Sequence, residues 1–356
     1  MTSPNDLKLG FAVPIFANPG VVDVRTPSFV ELEWAPILNG VIEAEKLGYD
    51  SLWVADHMFL GRDGAILESW TTLSALAGAT STIRLGNIHL GNGFRPPALT
   101  AKMISTLDFI SGGRFDLFID PGWREREHTA YGYQWEPDRS IRARQVGEAV
   151  ELFKAMWTGD PTSFAGEFYR VDGAINTPAP TRAGGPEITI GEAFDDATLD
   201  LVARHADCWN SMPAGVDVLA QKIAAVDQAC SQRGRDPATL RKTLETQVLI
   251  LDDSTQWDDW LEKWSTMLGD HPVGDAMTDF FEFVHAGNPQ LAEGVNSDRL
   301  REEFVIGTRA EVAEKLAAYH DLGISEVICW FMDFPSGESM RALARDVRPK
   351  IGANHG

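Results

Sequence analysis

Short apolar runs alternate with stretches of helical period along nearly the whole chain, and few folds accommodate that order. A buried parallel strand reads as a run of β-branched, aromatic and aliphatic residues bounded by turn signals. Eight segments have that character: 7–13, 51–57, 83–90, 115–119, 187–190, 207–210, 246–251 and 326–331. Helical patterns fall between and after them, at 36–47, 67–79, 96–110, 141–157, 197–205, 216–233, 310–322 and 337–351. The first carries Ile37, Leu38, Val41, Ile42, Ala44 and Leu47 on one broad face, and Gly48 follows where a helix-ending glycine belongs. Eight strands alternating with helices predict a (β/α)8 barrel, a TIM barrel. The main rival is an open doubly wound sheet. Its nucleotide fingerprint, Gly-x-Gly-x-x-Gly after the first strand, does not occur.

The chain has 356 residues, which fits one such barrel of roughly 250 residues plus insertions, so residues 1–356 read as a single domain. The interval 158–181 is rich in Pro, Gly and Thr and predicts a surface excursion with a hairpin. A longer insertion, about 254–304, holds Trp257, Trp260, Trp264, Met267, Met277, Phe280, Phe281 and Phe283. It reads as a lid or a dimer-contact segment, against the plainer account of a packed helical pair.

A formal net charge of −21 argues against nucleic acid and anionic membranes as partners. No apolar run reaches the length of a membrane span, and the first residues lack the basic and apolar regions of a signal peptide. Cys208, Cys230 and Cys329 are odd in number and widely spaced, which suits a reducing cytoplasm better than a disulfide framework.

In a barrel, residues just past the strands share one mouth. Here these include Phe16, Asp56, His57, Asn87, His89, Asp120, Gly122, Trp123, Glu192, Asn210, Ser211, Trp330 and Asp333. The set has no metal-ligand spacing, no Gly-x-Ser-x-Gly elbow and no lysine, which disfavours metal, serine-hydrolase and Schiff-base chemistry. What remains is aromatic and amide-rich, with imidazoles, and suits a flat conjugated ring acting on a small organic substrate.

Two stretches sharpen this. Leu107-Asp108-Phe109-Ile110-Ser111-Gly112-Gly113-Arg114-Phe115, and Gly122-Trp123-Arg124-Glu125-Arg126-Glu127-His128-Thr129-Ala130-Tyr131-Gly132, resemble the signature of the bacterial luciferase-like superfamily. Trp53-Val54-Ala55-Asp56-His57, Arg84-Leu85-Gly86-Asn87 and Ala203-Arg204-His205-Ala206-Asp207-Cys208-Trp209-Asn210 fit it as well. The resemblance implies a (β/α)8 oxidoreductase that uses FMN or the deazaflavin F420, in a homodimer. It implies a catalytic role for His57 with Asp56, and a distorted strand end at Asn87, Ile88 and His89 with a non-prolyl cis peptide against the cofactor. Gly122, Gly191, Asn210 and Ser211 complete the implied cofactor contacts, and Phe16, Trp123, Glu127 and Trp330 the substrate contacts.

Some of these residues have a plainer reading. Trp123 suits packing beneath the next helix, Glu127 beside Arg124 and Arg126 suits a solvated charged face, and His89 suits a core histidine. Asp108 and Arg114 are close enough across the Gly112-Gly113 turn for a structural ion pair. One departure stands out. The family has a glycine-rich, phosphate-binding turn after strand five, where this chain has Gly191-Glu192-Ala193-Phe194-Asp195-Asp196. Acids there repel a phosphate, which shifts the expected contacts to Arg95, Ser211 and backbone amides, while Asp195 or Asp196 suits a helix cap.

The leading expectation is a monooxygenase that takes reduced FMN from a separate reductase. An F420-dependent hydride-transfer enzyme is the first alternative, and a non-catalytic ligand-binding barrel, for which Glu192 speaks, the second.

Overall fold

Eight parallel strands close on themselves: β1 (Lys8–Val13), β2 (Ser51–Val54), β3 (Arg84–Asn87), β4 (Phe115–Asp120), β5 (Ile188–Gly191), β6 (Cys208–Ser211), β7 (Arg241–Leu251) and β8 (Glu326–Phe331). The computed structural model describes residues 7–193, 195–272 and 297–351. β8 returns to β1 with Ile328 opposite Gly10, and β6 meets β7 with Asn210 opposite Thr243, so the ring has no open edge. Every residue of β2 and β8 is buried, as a strand covered on both faces must be. The expected barrel is therefore present, with helices between its strands.

Three boundaries differ from expectation. β7 begins at Arg241, five residues earlier than its β-branched run. The early half was obscured because it contains Glu245, a fully buried carboxylate whose charge is matched by partners described below. β3 stops at Asn87. The Ile88–His89 peptide that follows is cis, and the chain then pairs briefly with β4 through Leu90 and Gly91. The last helix breaks into Glu338–Ala342 and two further turns through Lys350, where Pro349 removes a backbone donor.

The end of the barrel where the strands begin is stitched by ion pairs. Arg241 at the start of β7 reaches Glu326 at the start of β8, at 3.0 Å, and also Glu187. Asp116 holds both Arg84 and Arg182. Gly112 and Gly113 turn the chain into β4 at φ +69° and +86°, which only glycine adopts without strain. The ion pair expected across that turn does not form. Arg114 instead donates to the carbonyls of Ala77, Thr80, Ile83 and Ser111, and Asp108 accepts the Thr181 amide at 2.6 Å. A guanidinium with five donors satisfies four carbonyls of three converging segments better than one carboxylate could.

The expected hairpin is present as Thr162–Ala165 against Arg170–Ala174. Within the insertion, the helix Gln256–Asp270 buries Trp257 and Trp264 in a second small core with Val22, Leu249, Leu300, Phe304 and Met332. Trp264 also donates to Ser28 at 2.8 Å, tying this helix to the loop after β1. Met277, Phe280, Phe281 and Phe283 lie outside the described residues. Among the described residues, no helix is long and apolar enough to cross a membrane.

Candidate functional site

The cleft opens at the other end, where the strands finish. Phe16, His57, Ile88, His89, Gly122, Trp123, Gly191 and Trp330, all expected at the site, line it together. Phe16 and Trp330 stand with ring centroids 6.0 Å apart, and His57 meets the edge of Trp123 at 5.8 Å.

His57 follows β2, but its partner is not Asp56. Its Nδ1 lies 2.8 Å from Oε2 of Glu127, on the short helix Glu125–Ala130 that follows β4. Oε1 of Glu127 accepts the backbone N–H groups of Met58 and Phe59, at 2.9 and 3.1 Å. Glu127 is wholly buried, which overturns the solvated-face reading. Burial alone would raise its pKa, but the His57 charge, the Phe59 amide and Arg124 hold it below the usual carboxylate range. An ionised Glu127 accepts, so Nδ1 of His57 carries a proton and Nε2 is the position left for proton exchange.

Asp56 turns the other way. Both its oxygens are held by Arg95, at 2.8 and 2.9 Å, and one also accepts the Gly91 amide at 3.1 Å. Its carboxylate anchors the segment after β3 rather than pairing with His57. Arg95, whose guanidinium also reaches Glu68 at 2.9 Å, is thereby held between two carboxylates, where a free phosphate contact was expected.

His89 sits between two carboxylates. Its Nδ1 is 2.9 Å from Asp120, and its Nε2 is 3.4 Å from Glu245, too long and poorly aimed for a hydrogen bond. Burial opposes its charge, yet Asp120 and Glu245 overcome that and push its pKa up to about 9. Glu245, countering burial through Arg25, His89 and Trp330, is held down at about 2. His89 is thus an imidazolium at neutral pH, and among the described residues its buried Nε2 has no hydrogen-bond partner. A Cβ placed on Gly191 would lie 2.7 Å from the Phe118 ring and 3.8 Å from this same Nε2. A glycine there lets the cleft wall close on Phe118 beside an unsatisfied donor. That combination fits a planar ligand with an acceptor edge.

Three expected contacts lie behind the wall. Asn87 donates to Ser69 at 2.7 Å. Asn210 donates to the Ser211 carbonyl and accepts from Thr243, at 3.1 and 2.8 Å, and Ser211 donates to the Met212 carbonyl at 2.8 Å. Each points its polar group into barrel packing, because strand ends are closed by such local bonds.

Sequence reasoning missed Glu245, Arg25, Arg139 and Met212. Arg25 comes from the loop after β1, stacks 4.9 Å above Trp330 and lies 3.4 Å from Glu245. A carboxylate flanked by Leu244 and Thr246 in an extended run was the available signal.

Comparisons with known proteins agree with this geometry. The profile of the luciferase-like monooxygenases matches residues 17–326. The pyrimidine monooxygenase RutA of Escherichia coli O81 (strain ED1a) is 26% identical over 365 residues, covering 93% of this chain and 88% of that protein. The F420-dependent glucose-6-phosphate dehydrogenase of Nocardia farcinica (strain IFM 10152) is also 26% identical, covering 89% and 94%. Among solved structures, the long-chain alkane monooxygenase LadA superimposes with a TM-score of 0.75 at 14% identity, covering 100% of this chain and 92% of that one. An F420-dependent secondary alcohol dehydrogenase gives 0.75 at 18% identity, covering 97% and 99%. These structures share the barrel fold, and the profile match carries the family: the chain belongs to the luciferase-like monooxygenases, an oxidoreductase family whose members use FMN or F420.

Proposed function

We propose that the cleft binds the reduced isoalloxazine ring of FMN and that the chain is a monooxygenase of a small organic substrate, supplied with reduced FMN by a separate reductase. One observation carries this reading: two imidazoles line the same aromatic cleft, each beside a buried carboxylate, Glu127 for His57 and Glu245 for His89. When bound, the reduced ring supplies the electrons for oxygen activation. Phe16, Ile88 and Trp330 give it apolar walls. His89 would hold the pyrimidine edge, offering Nε2–H to its acceptors and a positive charge to its anionic reduced form. His57 would hold the exchangeable proton at Nε2, oriented by Glu127, and act as general acid and base beside the reacting centre. The indole of Trp123 and the guanidinium of Arg25 would bound the substrate space.

FMN is favoured over F420 by charge. The deazaflavin carries a longer, more anionic tail, and the cleft wall here holds the carboxylate of Glu192. A second reading, hydride transfer from F420, is favoured by the same His57–Glu127 pair, which would suit protonating a carbonyl oxygen as hydride arrives. Titrating the protein with reduced FMN and with F420, each followed by absorbance and fluorescence, separates the two. Micromolar binding of FMN and not F420 supports the first reading, and the reverse supports the second. Binding of neither leaves a non-catalytic barrel.

A further inference from the structure

The turn after β5 carries two carboxylates where barrel ends ordinarily bind phosphate through loop amides and helix N-termini. Both are satisfied within the chain. Asp195 caps the helix Asp196–His205, accepting the Thr198 amide at 2.8 Å in a reciprocal capping box. Glu192 lines the cleft, is 7% exposed, and has φ +21°, a value that side chains rarely adopt. Its Oε1 accepts the Met212 backbone amide and lies 3.0 Å from Nζ of Lys222, on the helix Val216–Gln232. Ser211 Oγ passes 3.4 Å from the same oxygen, but its proton goes to the Met212 carbonyl. An amide and an ammonium therefore converge on one anionic oxygen, and that oxygen belongs to the protein.

We propose that Glu192 is a built-in anion that fills this cradle, so that the cleft grips the ring of its cofactor without gripping a phosphate here. Glu192 thereby determines specificity: it removes the advantage that a phosphorylated flavin would otherwise have over an unphosphorylated one. This rests on the flavin reading of the cleft and adds which part of the ligand supplies the affinity. A phosphate could use the Met212 amide and Lys222 only by expelling a carboxylate that already neutralises them.

The test measures FMN and riboflavin binding to the wild-type protein, to E192Q, and to E192Q combined with K222M. Wild type is expected to bind the two flavins within about fivefold of each other. E192Q keeps the side-chain shape, removes the charge and leaves Lys222 unpaired. It is expected to raise FMN affinity by about fivefold or more while leaving riboflavin unchanged, and adding K222M should abolish the gain. A wild-type preference for FMN beyond that margin, or a change in E192Q that is smaller or common to both flavins, overturns the proposal. If neither flavin binds any of the proteins, the flavin reading fails and inorganic phosphate reads the cradle alone. Phosphate should then raise the melting temperature of E192Q and not that of wild type, and an equal response in both overturns the proposal.

Discussion

Nδ1 of His57 and Oε2 of Glu127 stand 2.8 Å apart although seventy residues separate them in sequence. The pair joins the segment after β2 to the helix after β4, and it fixes which imidazole nitrogen carries the proton. E127Q should lower turnover about a hundredfold by removing the charge behind the imidazole, with cofactor affinity little changed. E127A should in addition cost about 2–3 kcal/mol of stability, since the Met58 and Phe59 amides lose their acceptor. Urea unfolding and steady-state kinetics on the two variants separate these effects. Equal losses of turnover and stability in E127Q would reduce Glu127 to a structural prop.

Arg95 and Asp56 form the second ion pair beside the cleft, with side chains 12% and 1% exposed. R95M strands a buried carboxylate and should destabilise the protein by about 3–5 kcal/mol. D56N combined with R95M removes both charges and should recover a large part of that loss. The comparison is a double-mutant cycle by urea unfolding. A double variant no more stable than R95M would show that the pair is not the source of the cost.

His89 makes stability depend on pH. Its pKa rises from an ordinary 6.5 to about 9 in the folded protein. Below about 6.5 both folded and unfolded chains hold the proton, and the contribution is complete; between the two values only the folded chain holds it. Stability should therefore decline as pH rises from about 6.5 through about 9, by on the order of 3 kcal/mol, and H89Q should lack that decline. Unfolding free energies at intervals across this range check the sign. A wild-type protein whose stability is level across it would show that His89 is neutral.

Gly20 has φ +78°, and a Cβ there would overlap the Trp264 carbonyl and the Leu268 amide. G20A should lower the melting temperature by several degrees and raise amide exchange in the helix Gln256–Asp270, because backbone cannot yield as a side chain can. Exchange confined to the loop after β1 would instead mean that the helix is held by its tryptophans alone.

The frame was legible because strands buried on both faces have a compositional signature, and eight of them recur with helices between. The bend at Ile88 and His89 was legible only through resemblance. The pairing of charges was not. Consecutive side chains of extended backbone point to opposite sides, and Asp56 and His57 diverge accordingly, one to Arg95 and one to Glu127. Glu127 could not be placed from its neighbours, since Arg124 and Arg126 give it the look of a surface residue. Glu245 hid the first half of β7 for a related reason. A carboxylate inside an apolar run reads as a break unless its partners, here Arg25, His89 and Trp330, are known from other strands.

β7 is long enough to serve three neighbours. Its first half lies between β6 and β8, and its last four residues carry Val305–Thr308 alongside. The excursion that leaves at Leu251 and comes back at Val305 is thus moored to a single plank at both departure and return. The circle of strands is complete without the stretch between those moorings, which leans on it through Trp257 and Trp264.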